Sequence, residues 1–292
     1  MWRNDTLQLF TNEEGRVRCD VNQPLHEPEN YHFDYFLKDH LGNVRMVVTE
    51  ALDTAMYPMA TLEADHLAQD TLYYDINTAR ITDVYPQTGD STSVLAKRFY
   101  KTNGNMAGQK TGLGIVLKVM AGDTVSFRAD SYYQLPSGDK GPDYSVPLTD
   151  LLAAFSGSPA VSMHNVSPTD ITGITGNTDA LNQLLITSTA INIANAHLNW
   201  VLFDDRFKYV AGDVDAVGSS GNIKNHTKFV TTPVIVPKNG SIYIFVSNKS
   251  AVDVFFDNLV VTHYKGPILE ETHYYPFGLT MAGISSNVLT YG

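Results

Sequence analysis

Asp257 is a carboxylate within an apolar strand pattern. In an extended strand alternate residues share a face, which groups Asp257 with Phe255, Leu259 and Val261. A carboxylate on an apolar face must be paired, hydrogen-bonded or bound to a metal ion, because burying an isolated charge is costly. Calcium would suit this position, since it takes oxygen ligands from carboxylates and backbone carbonyls. The alternative is that Asp257 caps backbone N–H groups or lies at an exposed strand end.

The densest acidic patch consists of residues 204–205 (Asp-Asp) and 213–215 (Asp-Val-Asp). Together with Gly212 and Gly218 these acids could line a calcium loop. Their spacing does not match the ligand ladder of an EF-hand. The favoured interpretation is a solvated acidic loop.

Catalytic motifs are missing from the sequence. The nine histidines stand in no His-x-Glu, His-Glu-x-x-His or Gly-x-Ser-x-Gly arrangement. The glycine-rich stretch 104–114 lacks the strand–loop–helix context of a phosphate-binding loop. No nucleophile stands beside a base, so the sequence predicts a protein without catalytic activity.

Three tyrosines are candidates for ligand binding. Tyr132 and Tyr133, with Tyr144 downstream, are expected to lie in an exposed polar loop rich in Gly, Pro and Ser. Exposed aromatic rings stack on sugar faces, because this contact buries apolar area. We therefore predict a glycan-binding site at these tyrosines; the alternative is that they pack beneath the loop as part of the core.

Composition narrows the classes of partner. The net charge is −11 and the pI is about 5.1, and such a surface repels phosphate backbones and anionic membranes. Cys19 is the single cysteine, which rules out an intrachain disulfide. No apolar run approaches the roughly 18 residues that span a bilayer. The N-terminus lacks a signal-peptide pattern and both ends interrupt the strand pattern, so we expect a piece of a longer chain.

The elements that would position these residues are mostly strands. Apolar residues occupy every second position of 31–37, residues 39–43 have turn composition, and the alternation resumes over 44–48, which predicts a β-hairpin. A second hairpin is predicted at 114–120 and 125–131. Further on, three successive antiparallel strands are predicted, and helices are expected at two other places. These strands cover 228–236, 241–247 and 252–264, and the helices cover 148–155 and 179–199. Short strands between Gly, Pro and Asn turns favour a sandwich or barrel.

Residues 31–45 (Tyr-His-Phe-Asp-Tyr-Phe-Leu-Lys-Asp-His-Leu-Gly-Asn-Val-Arg) resemble the core motif associated with RHS/YD repeats. That motif alternates aromatic residues before Asp-x-Leu-Gly-Asn-x-Arg. Residues 274–278 (Tyr-Tyr-Pro-Phe-Gly) match the Tyr-x-Pro-Phe-Gly element that closes the same repeat. The two halves usually lie a few tens of residues apart, whereas here over two hundred residues separate them.

This split resemblance implies an insertion. Paired strands stay paired across so long an insert only if the ends of the insert lie close together, as they often do in compact domains. We therefore expect RHS-repeat strands at 1–51 and 266–292, with a self-folding β-sandwich domain inserted at 52–265.

Residues 254–261 (Val-Phe-Phe-Asp-Asn-Leu-Val-Val) resemble the closing strand of jelly-roll carbohydrate-binding modules. In those modules the aspartate of this strand helps to hold a structural calcium ion together with an acidic residue of the first strand. The resemblance implies Glu63 as the partner of Asp257 and structural Ca²⁺ as the cofactor.

The predicted fold is mainly β: an antiparallel, jelly-roll-like β-sandwich with minor helices, inserted into an RHS-repeat β-hairpin. The predicted function is that of a non-catalytic structural segment of a bacterial surface or toxin-shell protein, secreted or on the cell surface. It would display the sandwich for recognition of a glycan or cell surface, with the rest of the RHS-repeat shell as its partner. The alternatives are a dedicated carbohydrate-binding module and an enzyme domain. The sequence identifies neither the ligand nor any toxin domain downstream.

Overall fold

The protein is mainly β in a computed structural model that describes residues 2–3, 6–7, 9–19, 31–51, 53–83, 98–136, 138–145 and 190–285. Its first strands are β1 (Trp2–Arg3), β2 (Thr6–Leu7), β3 (Leu9–Thr11), β4 (Gly15–Cys19), β5 (Tyr31–Lys38), β6 (Val44–Thr49), β7 (Thr54–Met56), β8 (Ile81–Thr82) and β9 (Phe99–Thr102). The later strands are β10 (Thr111–Val119), β11 (Thr124–Tyr133), β12 (Ala196–Asp204), β13 (Tyr209–Ala216), β14 (Lys224–His226), β15 (Val234–Ile235), β16 (Gly240–Asn248), β17 (Val254–Tyr264), β18 (Ile268–Tyr274) and β19 (Thr280–Ser285). The helices are α1 (Leu67–Tyr73), α2 (Lys228–Thr231) and a short 3-10 helix (Thr78–Arg80).

Two antiparallel sheets form a sandwich around the main core. Sheet A has the order β10-β16-β12-β13, and sheet B has the order β14-β11-β17-β9-β8, with β15 added to β11 and β7 added to β17. Apolar residues at alternate positions of the central strands fill the space between the sheets, and removing their surface from water provides the main driving force for folding. They include Leu198, Trp200 and Leu202 from β12, Ile242, Ile244 and Val246 from β16, and Phe127, Phe256 and Val261 from sheet B. The predicted antiparallel β-sandwich is confirmed.

From β9 to β12 and again from β15 to β17, successive strands alternate between the two sheets, as in a jelly roll. The predicted hairpin of 114–120 with 125–131 is wrong as a pairing, because β10 pairs with β16 whereas β11 pairs with β17. The three strands predicted at 228–264 are also divided between the sheets, because β16 lies in sheet A whereas β15 and β17 lie in sheet B. The turn at residues 120–123 carries the chain from sheet A to sheet B, and its Asp123 carboxylate accepts the Met120 N–H at 2.8 Å. The sequence pattern predicts that such strands form but not which strands they pair with, because strands of the two sheets have similar patterns of burial.

Of the two predicted helices, only residues 190–199 fall within the described part of the chain. Residues 196–199, expected to end a long helix, begin β12, where all nine residues are buried between two neighbouring strands. The predicted helix at 148–155 and residues 179–189 of the second lie outside the described residues. The strand predicted from residue 228 begins instead as α2 and becomes extended only at β15. Over the described ranges, no helix is long and apolar enough to cross a bilayer.

A third sheet, the flanking sheet, joins the two ends of the chain. Its order is β19-β18-β6-β5-β4-β3. The predicted hairpin of β5 and β6 is confirmed, and the Asp39 carboxylate caps its turn by accepting the N–H groups of Leu41 and Asn43. Strand β18 pairs directly with β6, with Met46 opposite Glu271. The split motif predicts that the strands Tyr31–Leu37 and Glu271–Tyr275 are near neighbours, and β5 and β18 do lie in one sheet with only β6 between them, although over two hundred residues separate them in the sequence.

The sandwich leaves and rejoins the flanking sheet at one place. Strand β7 pairs with the end of β17, with Thr54 opposite Tyr264, and the Lys265 N–H donates to the Asp53 carbonyl at 2.9 Å. The outgoing and returning chains thus run side by side. The buried Asp123 carboxylate braces this junction, because it accepts from the Gly266 N–H at 2.6 Å and contacts His263 Nε2 at 2.7 Å.

A buried ion pair holds the flanking sheet together. The Asp34 side chain on β5 is fully buried, and one of its oxygens lies 2.6 Å from the Nε atoms of both Arg16 and Arg18 on β4. Burial by itself would raise the pKa of Asp34. Hydrogen bonds from Arg18 and Arg16 outweigh burial and hold this pKa below its ordinary value.

We expect Asp34→Asn to lower the free energy of unfolding of the flanking sheet by about 2 kcal/mol or more, because two arginines lose a buried anion. Since the folded-state pKa of Asp34 is lowered, its contribution is complete above the unfolded pKa of about 4 and is lost as the pH falls further. Hydrogen exchange of β4, β5 and β6 measures the loss. Asp53→Asn, which removes an exposed partner of Lys265, is the control and should cost less than about 1 kcal/mol. Equal losses in the two variants would contradict the role of Asp34.

Candidate functional site

A β-bulge decides which way Asp257 faces. Asp130 on β11 lies opposite Asp257, and the register shifts just before that pair. Asn258 adopts a left-handed conformation with φ of 55°, and its N–H donates to the Asp257 carboxylate at 2.8 Å. The bulge interrupts the alternation, so Leu259 belongs to the main core whereas Phe255 belongs to a separate small cluster. The prediction that Asp257 shares a face with Leu259 and Val261 is therefore wrong, and only its grouping with Phe255 fits the structure.

Glu63 enters a gap beside Asp257 in sheet B. Ala60 pairs with Leu259, and β9 pairs with β17 at Val254 to Phe256, so neither neighbour covers β17 at Asp257 itself. Glu63 follows Ala60, and its carboxylate accepts the Arg98 N–H, just before β9, at 3.2 Å. The structure thus brings this predicted pair of carboxylates into one neighbourhood.

Burial raises the pKa of Asp257 to about 8. The Asn258 N–H works against this shift, but the negative charges of Asp130, Glu63 and Asp70 add to it. Burial likewise raises the pKa of Asp70, whose carboxylate accepts the Leu62 N–H at 2.9 Å. Several acids therefore crowd one buried region, and at neutral pH Asp257 is mostly protonated.

The fit of this region to calcium is incomplete. Calcium takes six to eight oxygen ligands. Within the described part of the chain, no three His, Cys, Asp or Glu side chains are placed to hold a metal ion. Oxygens of Asp70 and Glu63 already accept backbone N–H groups. A calcium ion would be held by Asp257 and Glu63 with backbone carbonyl oxygens, and this site stays a prediction.

We expect Asp257→Asn to remove a pH-dependent loss of stability. The folded-state pKa of about 8 lies above the unfolded value of about 4, so the folded chain binds this proton more tightly. Stability of the native chain should therefore fall as the pH rises from about 4 to about 8, and the variant should lose less over that window. Urea unfolding at pH 5 and pH 8 measures this loss of stability in the native chain and in the variant. The exposed Asp205→Asn variant is the control, and a slope in Asp257→Asn as steep as in the native chain would contradict the raised pKa.

The same variants test calcium. If calcium binds here, a millimolar excess should raise the melting temperature of the native chain at pH 8, because a ligand that binds only the folded state stabilises it. Asp257→Asn and Glu63→Gln should lose that shift. An equal shift in all three proteins would exclude this pair of ligands.

The predicted glycan-binding tyrosines do not form an exposed site. Tyr132 and Tyr133 end β11 and are buried, with 5% and 1% of their surface exposed. Tyr132 packs in the small cluster with Phe99 and Phe255, whereas Tyr133 lies in the main core and its hydroxyl donates to the Gly218 carbonyl at 2.9 Å. Tyr144 is half-buried near Lys110, whose Nζ lies 5.9 Å from the ring centre. Placing Tyr132 and Tyr133 in an exposed loop was wrong, because the strand continues through them and the sheets need their apolar area.

The acidic patch at 213–215 is not a loop. These residues lie in β13, and the Asp215 carboxylate contacts Lys224 Nζ at 2.6 Å and His226 Nδ1 at 2.9 Å. On the other side of the imidazole, His226 Nε2 lies 2.8 Å from Ser131 Oγ. Serine, histidine and aspartate are thus joined in the connectivity of a catalytic triad. The sequence contained no signal for it, because the three residues lie on three strands and are brought together by pairing of the sheets.

Burial makes this array structural. His226 is fully buried and Ser131 is 3% exposed, so the serine hydroxyl offers no open face to a substrate. Hydrogen bonds from His226 and Lys224 outweigh the effect of burial and hold the pKa of Asp215 below its ordinary value. An ionised carboxylate only accepts, so Nδ1–H of His226 donates to Asp215, and Nε2 on the other side of the ring forms a hydrogen bond with the Ser131 hydroxyl. Ser131 and His226 belong to sheet B and Asp215 to sheet A, so the array ties the sheets together at the edge of the sandwich.

We expect Ser131→Ala to lower the free energy of unfolding by about 1–3 kcal/mol, because it leaves a buried ring nitrogen of His226 without its hydrogen-bond partner. Ser126→Ala, at a half-buried position of the same strand, is the matched control and should change stability by less than about 0.5 kcal/mol. Chemical denaturation measures both variants. A fluorophosphonate probe, which labels activated serines, should leave the native chain unlabelled. Labelling that Ser131→Ala abolishes would show an accessible nucleophile instead.

Comparisons with known proteins give distant similarities. A scan against protein-family models and a search of curated proteins found no match. Among solved structures, the chain is similar to the CBM22-1 and GH10 modules of endo-1,4-β-D-xylanase 10B from Clostridium thermocellum in complex with xylohexaose, with 11% identity and a TM-score of 0.34. That similarity covers 71% of this chain but only 28% of the xylanase chain. A cyclase from Fischerella sp. TAU is similar at 9% identity and a TM-score of 0.30, over 73% of this chain and 99% of the cyclase. At these scores neither similarity carries a functional inference.

Proposed function

We propose that this chain is a non-catalytic structural segment of a bacterial RHS/YD-repeat protein, secreted or on the cell surface, which displays a β-sandwich for recognition of a glycan or another cell surface. The observation that carries the proposal is the pairing of β6 with β18. It brings the β5–β6 hairpin, which carries 31–45, into one sheet with β18, which leads into 274–278, although the whole sandwich lies between these two halves of the repeat-like motif in the sequence.

The surface of the flanking sheet has the features of a partner-binding surface. Phe33, Tyr35 and Leu37 lie on one face of β5 and are each about half exposed, and Phe277 is 99% exposed. Grouped exposed apolar residues mark interaction surfaces. The outer strands β3 and β19 also leave backbone groups that further strands can pair with. In the proposed protein, neighbouring repeats of the shell cover this face and extend this sheet.

Display rather than catalysis fits the buried polar groups. Asp257 and the Ser131–His226–Asp215 array have the residue types of active sites, yet Ser131, His226 and Asp257 are at most 3% exposed. A catalytic group must reach its substrate within hydrogen-bond distance. The proposed recognition therefore belongs to the outer surface of the sandwich.

The test replaces residues 51–265 with an Asn-Gly turn and compares this shortened chain with the full chain. Amides of β5, β6 and β18 should stay protected from hydrogen exchange in both, because a two-residue turn joins antiparallel strands directly. Binding to a glycan array or to cells should occur only with the full chain, and bound glycans should be recovered intact by mass spectrometry. Loss of protection in the shortened chain would contradict an inserted domain, and glycan cleavage would replace the proposal with an enzyme.

A further inference from the structure

A groove lies between the sandwich and the flanking sheet. It encloses about 600 Å³, within the range of about 300–1,000 Å³ typical of small-ligand sites. One wall is formed by the β12–β13 turn and the 237–240 connection of the sandwich. The other is formed by Met46, Glu271 and His273 of the flanking sheet. The groove therefore depends on the junction that sets one sheet system against the other.

The groove concentrates unpaired positive charge in an acidic protein. Lys118, Arg206 and Lys208 line it, and within the described residues none of their side chains has an ion-pair or hydrogen-bond partner. Two lining acids are already engaged. The Asp204 carboxylate accepts from Lys238 Nζ at 2.7 Å and from two backbone N–H groups of the same turn, and Glu271 contacts Asn239 and, at 3.2 Å, His273 Nε2. Lys238 offsets Asp204, and Asp205 and Glu271 offset part of the charge of the three free cations, so that four Lys and Arg side chains face three acids among the described lining residues of a chain whose net charge is −11.

Phe207 gives the groove an aromatic surface at a strained position. Its backbone is left-handed, with φ of 55°, and its N–H donates to the Asp204 carbonyl at 2.9 Å to close the turn. Glycine or asparagine normally fills such a position, because a side chain there costs about 1 kcal/mol or more. The Phe207 side chain is half-buried and lines the groove, where it offers an apolar surface.

We propose that this groove binds a small acidic carbohydrate, one that carries a carboxylate or sulfate group. The three cations supply charge-assisted donors for the acidic group, and the Phe207 ring supplies a flat apolar surface for the sugar. This inference rests on the proposed function, since it names the ligand class and places the binding site for glycan recognition.

Calorimetry on the full chain tests the proposal with three probes: a glucuronate-containing disaccharide, its neutral glucose counterpart and inorganic sulfate. The acidic disaccharide should bind at least tenfold more tightly than either of the others, and its affinity should fall with added salt. Arg206→Gln with Lys208→Gln should weaken it about tenfold or more. Arg128→Gln, which removes an exposed cation of β11 outside the groove, is the matched control and should leave the affinity unchanged.

The Phe207→Gly variant distinguishes a loss of ligand affinity from a loss of folding stability. Glycine adopts the left-handed conformation without strain, so the variant should be at least as stable as the native chain in thermal melts yet bind the acidic disaccharide about fivefold more weakly. Binding of sulfate as tight as that of the disaccharide would overturn the carbohydrate assignment. If neutral glycans bind tightly and the groove variants do not weaken that binding, the proposed site is overturned but the proposed function is not. Failure of every glycan on an array to bind would overturn both.

Discussion

The pairing of β7 with the end of β17 is the constraint on which the rest of the structure depends. It holds the outgoing and returning chains one strand apart, so that β6 and β18 can pair directly beyond it. Without that proximity, closing a loop of over two hundred residues would cost conformational entropy that the β6–β18 ladder alone would have to offset. Asp123 adds to this constraint because it ties the β10–β11 turn to Gly266 and His263 at the same junction.

Polar groups buried in the sandwich serve its architecture. Asp123 with His263 reinforces the ladder of β11 with β17, and the contact of His226 with Asp215 links β14 of sheet B to β13 of sheet A, which no backbone ladder connects in the described residues. Satisfied buried networks of this kind specify one arrangement of two sheets, since any shift leaves a buried donor or acceptor unpaired. Asp257 differs from them, because burial leaves it largely protonated at neutral pH and crowded by other acids.

We propose that recognition takes place at the surface between the two sheet systems. Each wall of the groove belongs to a different segment of the chain, and residues 46 and 271 meet residues 206–208 only through the folded junction. Sequence reasoning looked for ligand contacts at Tyr132 and Tyr133, because paired tyrosines before a Gly/Pro/Ser stretch suggest an exposed loop. For the proposed groove the sequence offers a weaker signal than those tyrosines: a phenylalanine between Arg206 and Lys208, at a turn position that favours glycine.

The sequence by itself determined the class of fold, the strands β10, β11, β16 and β17 of the sandwich and the β5–β6 hairpin, because alternation and turn residues are local properties. It also indicated that the motif halves at 31–45 and 274–278 belong together. Only the tertiary structure decided which strands share a sheet. It also decided that residues 196–199 form a strand rather than a helix, and that the bulge at Asn258 separates Asp257 from Leu259. It alone joined Ser131, His226 and Asp215 and buried them. Pairing, register and burial are set by contacts between distant segments, and no local pattern encodes them.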